Sequence, residues 1–102
     1  MRVLARKTLR AFWEGRPEFA DAKGPLEAWY AEAIAAEWLN PAQIKEQYGN
    51  ASILKNGRVV FNVGGNKYRL VVAIHYKADP GIVFVRFVGT HDEYDKIDAE
   101  TY

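Results

Sequence analysis

Three turn signals divide the second half of the chain into strands. Asn56-Gly57, Gly64-Gly65 and Asp79-Pro80-Gly81 each separate runs rich in Val, Ile, Phe and Tyr that alternate with a period of two. Asn-Gly between such runs is the strongest short-range hairpin signal, because the tight turn that matches strand twist needs positive φ at both central residues. ASIL, RVVFNV, NKYRLVVAIHY and GIVFVRFV are therefore predicted to be four consecutive antiparallel strands, a meander. A sheet with apolar alternation must bury one face, so the first half of the chain has to supply the cover.

That half reads as helical. RVLA at 2–5 makes a short strand, after which Leu9, Phe12 and Trp13 fall at i, i+3 and i+4, and GRP at 15–17 stops the helix. A second helix is predicted from about Pro25, with Leu26, Trp29, Tyr30 and Ala33 on its apolar face. In a third, Asn40 caps, Pro41 takes the first position, Ile44 and Tyr48 share a face and Gly49 ends it. The expected class is α+β: N-terminal helices packed on one face of an antiparallel β-meander, with a short C-terminal helix. With 102 residues, 49% of them hydrophobic, residues 1–102 form one domain with one core.

The chain has no cysteine, which excludes disulfides and thiolate metal sites. Neither a signal-peptide pattern nor an apolar run of membrane-spanning length is present, so a soluble, cytoplasmic protein without a membrane partner is expected. The net charge of +1 hides a block pattern: residues 1–16 carry +4, 17–48 carry −4, 49–91 carry +5 and 92–102 carry −4. Such blocks either build a positive face able to hold a polyanion or interleave in space and cancel.

Alternation places the polar residues. Tyr68, Leu70, Val72, Ile74 and Tyr76 form a core-like row, and Lys67, Arg69, Val71, Ala73 and His75 form the other, so that two cations share one side of the sheet. His75 reads as structural, and Trp29-Tyr30 as core. In the last strand Arg86 stands in the row of Ile82, Phe84 and Val88 and must pair or reach the open end of the sheet. Beyond it, Thr90-His91-Asp92-Glu93 fits a capping box, which makes His91 the first helical residue and puts Tyr94 on the same helical face. The positive end of a helix favours neutral imidazole, the form that accepts a proton. Each residue also has a plain reading: His91 as surface, Tyr94 as an anchor, Lys67 and Arg69 as solvated strand residues. No phosphate loop, dinucleotide fingerprint, nucleophile elbow or metal-ligand spacing is present, and Ser52 is the only serine. Any reaction must run on acids, bases and cations, with no cofactor.

At VVFNVGGNKYRLVVAIHY (59–76) and VFVRFVGTHDEYDKID (83–98) the sequence resembles the HigB family of bacterial toxins, within the RelE-like group of ribosome-dependent endoribonucleases. MRVLARKTLRAFWE (1–14) and KEQYGNAS (45–52) fit the same family. The resemblance implies a domain that cleaves messenger RNA in the A site of the small ribosomal subunit. It also implies a HigA-type helix-turn-helix antitoxin, which neutralises the toxin and alone carries it to operator DNA. By position, Arg69 corresponds to the arginine that such toxins aim at the scissile phosphate. His91 and Tyr94 fall where they place acid/base residues, with Lys67 a further candidate and Arg86 and Asn66 expected to contact substrate. A catalytically silent RNA- or ribosome-binding module would need the same cations without His91. A protein-interaction domain would instead use the acidic tail, DEYDKIDAE.

Overall fold

The Asn-Gly pair makes the turn its chemistry requires. In the computed structural model, which describes the whole chain from Met1 to Tyr102, Asn56 and Gly57 have φ of 60° and 69°. The turn joins strand β2 (Ser52–Ile53) to β3 (Arg58–Val63), with Ser52 opposite Val60. Residues 64–67 then lead into β4 (Tyr68–His75), and residues 76–81 into β5 (Ile82–Thr90). All three links are antiparallel, as the alternation predicts.

The sheet as a whole is mixed, because the short N-terminal strand adds to the antiparallel meander. Arg2–Leu4 forms β1 and pairs in parallel with β5, Val3 opposite Val83, giving five strands in the order β1-β5-β4-β3-β2. Three residues carry no signal of the partner they will choose. The parallel match places Val3 in the core beside Val83.

Helix α1 (Arg6–Glu14) buries Leu9 and Phe12 and leaves Trp13 partly exposed. A 3-10 stretch, Pro17–Ala22, runs directly into α2 (Lys23–Ala35), so this helix starts before Pro25 and holds that proline in its first turn. In α3 (Pro41–Gln47) Asn40 accepts from the Gln43 N–H, as a capping side chain should. These helices cover one face of the sheet, where Leu26, Trp29 and Ile44 meet Phe61, Tyr68, Leu70, Val72 and Val83. The Phe61 ring lies 5.4 Å from that of Trp29 and 5.0 Å from that of Tyr48. Burying each large side chain there contributes roughly 1.5–3 kcal/mol. No helix is long and apolar enough to cross a membrane.

The far face is covered too, at one end. Val60, Val71 and Ala99 make a second small cluster, against which Leu54, Phe87, Tyr94 and Ile97 pack. Ile97 thus joins this cluster and not the main core, and the C-terminal segment forms a third layer. Its Glu100 accepts from the Lys55 N–H and from the Asn56 side chain, which ties it to the β2–β3 turn.

A β-bulge overturns the expected row in β5. Val71 lies opposite Phe87 but Val72 opposite Val85, so Arg86 is the extra residue. Val83 and Val85 face the core before the bulge, and Phe87 faces the second cluster after it. Arg86 does not sit in an apolar row. It stands exposed, with its guanidinium 5.3 Å from the centre of the Phe84 ring.

Candidate active site

The capping box forms as the spacing predicts. Thr90 Oγ1 accepts from the Glu93 N–H at 3.2 Å, and Glu93 Oε1 accepts from the Thr90 N–H at 3.0 Å. The single-turn helix α4 (His91–Tyr94) follows. The Thr90 N–H, aided by Arg16, holds the Glu93 carboxyl below the ordinary range. A Cβ at Gly89 would stand 2.5 Å from the tip of the Phe87 ring and 3.1 Å from Glu93 Cβ, so a larger residue here would force that ring to move.

His91 then points back over the end of β4. Its Nε2 bonds to the Asn66 carbonyl, and Nδ1 lies 3.4 Å from Arg69 Nη2. A guanidinium can only donate and a carbonyl can only accept, so both contacts are met with Nε2–H toward Asn66 and the Nδ1 lone pair toward Arg69. Arg69 also donates through Nη1 to the Asn66 carbonyl at 3.4 Å. Asn66 has φ of 69°. Its side-chain oxygen accepts from Asn50 at 3.3 Å, which braces the loop. The alternation of β4 and the capping box thus bring Arg69, His91 and the backbone of Asn66 together at a solvent-facing corner.

Lys67 is elsewhere. It lies in the turn before β4, where strand alternation does not apply, and its ammonium pairs with Asp21 at 2.5 Å. Asp21 also accepts from the Tyr68 hydroxyl, on the helical face of the sheet. The expectation of two cations side by side is therefore corrected: Arg69 stands without Lys67. Hydrogen bonds from Lys67 and then Tyr68 hold the Asp21 carboxyl below its usual range, and Asp21 in turn raises Lys67. Sequence reasoning missed Asp21, because PEFADA carries no pattern that shows where its carboxylate points. It also missed Arg16, which bridges to Glu93 at 3.3 Å and lies 4.1 Å from the centre of the Phe19 ring.

Tyr94 is half-buried and packs on the second cluster, as an anchor would. Arg86, at the bulge, lies three residues along β5 from Gly89, the residue opposite Arg69. His75 is exposed, edge-on to Phe84 at 5.0 Å. No three His, Asp or Glu side chains gather as a metal site.

A family model for the HigB toxin, described as the RelE-like toxic component of a toxin-antitoxin system, matches residues 22–97. The chain belongs to that family. Membership makes it the toxin of a two-protein module, with an antitoxin as its partner. Helices on a five-stranded mixed sheet suit a RelE-like small domain. All six candidate residues, from Asn66 to Tyr94, fall within the matched span. Among curated proteins, none matches the chain.

Proposed function

We propose that this toxin is an endoribonuclease that cuts messenger RNA on the translating ribosome, in the cytoplasm, without a metal. The observation that carries the reading is the 3.4 Å contact between Arg69 and His91 at the exposed end of the sheet. RNA brings its own nucleophile, the 2′-hydroxyl beside the scissile phosphate. The planar fork of Arg69 suits two phosphate oxygens, and its contacts within the chain are long enough to exchange for them. Once Arg69 turns to the phosphate, His91 Nδ1 is free to take the 2′-hydroxyl proton. The Asn66 carbonyl, already bonded to Nε2–H, stabilises the imidazolium that results. The 2′-oxygen forms a bond to phosphorus as the bond to the 5′-oxygen breaks, leaving a 2′,3′-cyclic phosphate. The departing oxygen takes its proton from Tyr94 or from the imidazolium. Arg86, exposed at the bulge of β5, and Asn66 guide the strand, and Lys67 joins only by leaving Asp21.

A second reading has its own support. Both ring nitrogens of His91 are engaged within the chain, which suits a silent module that occupies the ribosome without cutting. Inducing the toxin in cells and mapping messenger 5′ ends separates the two. Discrete new ends within coding regions, absent for Arg69→Ala and His91→Ala, are expected. Growth arrest with intact messages would mean occupancy alone. The antitoxin is proposed to be a HigA-type helix-turn-helix protein that carries the operator-binding function. A short adjacent reading frame of that type is the expected genomic sign.

A further inference from the structure

Strand β5 has a neighbour on both sides only as far as Phe84. β1 matches Ile82–Phe84 and the chain then leaves the sheet for α1, so Val85–Thr90 has β4 on one side and no strand on the other. Beside this open edge lies a groove of about 370 Å³, lined by Thr8 and Ala11 of α1, Arg86 to Val88 of β5, the Arg16–Glu93 pair and Tyr102. An exposed strand edge presents backbone donors and acceptors, a template for another strand.

We infer that the antitoxin lays an extended, acidic segment in this groove and adds a strand to β5. The partner's existence follows from the family; its seat follows from the edge. Charge sets its chemistry. Arg86 lines the groove and Lys7 stands one turn from Ala11 on α1, and neither has a carboxylate within bridging distance. The carboxylate at the groove, Glu93, is already held by Arg16 and the Thr90 N–H. Phe12, Phe87 and Tyr102 give apolar walls for alternate side chains of an added strand. A peptide fits better than RNA, because a strand edge presents donors and acceptors in turn, whereas a phosphate backbone offers acceptors only. Occupancy also has a consequence for the toxin. Glu93 lines the groove and its cap sets the helix that carries His91, so a bound segment lies close to the candidate site.

The test is amide hydrogen exchange on the full toxin, alone and in complex with the antitoxin of its own module. Exchange over 85–90 is expected to slow about tenfold or more on binding, while the opposite edge, Ser52–Ile53, is unchanged. Lys7→Glu combined with Arg86→Glu, checked for folding by thermal melting, should weaken the complex about tenfold. Protection confined to other elements, with 85–90 exchanging as in the free toxin, overturns the inference. Protection of 85–90 by a single-stranded RNA but not by the antitoxin overturns it as well and gives the groove to nucleic acid. The readout contains no cleavage step, so loss of the nuclease reading leaves this test intact.

Discussion

His91 and Arg69 are exposed or half-exposed and hold no part of the core, so their removal separates chemistry from stability. His91→Ala is expected to lower the cleavage rate on programmed ribosomes by about 10²–10⁴-fold, the usual range for a positioned acid or base, with little change in the thermal midpoint. Arg69→Lys keeps the charge but loses the planar fork, and the rate should fall nearly as far as for Arg69→Ala. Rates equal to wild type for either variant would remove the pair from the reaction. Asp21 belongs to stability instead. Lys67 and then Tyr68 depress its carboxyl in the fold, so its contribution is present above the unfolded pKa of about 3.9 and is lost as pH falls through the lower folded value. Asp21→Asn should be less stable than wild type near neutrality. The gap should close as the medium is taken below the ordinary carboxylate range, through the depressed folded value, measured by denaturant melts at each pH.

Short elements in this fold depend on single residues. Thr90→Ala removes the oxygen that accepts the Glu93 N–H and should cost about 1 kcal/mol, read by denaturant unfolding. Activity should fall further than stability, because the same cap aims His91. Gly57→Ala forces a side chain into φ of 69° with its Cβ 3.1 Å from the Ile74 carbonyl, and should cost about 1–2 kcal/mol. These positions are legible because turn and cap chemistry is local: Asn56-Gly57, Asn40-Pro41 and Thr90–Glu93 fix their conformations within four residues. The meander and the approach of His91 to Arg69 follow from them. What escapes the sequence is non-local. The RVL strand shows its own β character but not that it will lie parallel to β5. The bulge at Arg86 shows only in the register of β5 against β4, where Val71 meets Phe87 but Val72 meets Val85. Lys67 misleads for a simpler reason: it lies one residue before β4, in a turn, where strand parity does not hold.

At the scale of the whole molecule the four charge blocks interleave. Each ion pair joins blocks of opposite sign: Arg6 with Glu27, Arg16 with Glu18 and Glu93, Lys67 with Asp21. All lie at the surface, where solvent screens them and their contribution to the fold is small. Pairing takes Lys67 out of the strongly positive third block but leaves Arg69, on the face away from the main helices, and Arg86, at the edge of β5, free of carboxylates. Stability and RNA binding should therefore answer salt differently. Raising salt from about 50 to about 200 mM should move the melting temperature by no more than a degree or two, because weak surface pairs carry little of the fold. Affinity for a non-cleavable, 2′-deoxy-substituted messenger fragment should fall over the same range. Each phosphate released contributes about −0.7 to the log–log slope for a single strand, so two contacting arginines give a slope near −1.4. Arg69→Ala should remove about one such increment, while Lys67→Ala, whose charge is spent on Asp21, should leave the slope as it was. A slope that drops for Lys67→Ala and not for Arg69→Ala would move the phosphate to the helical side of the sheet and dissolve the site built around His91.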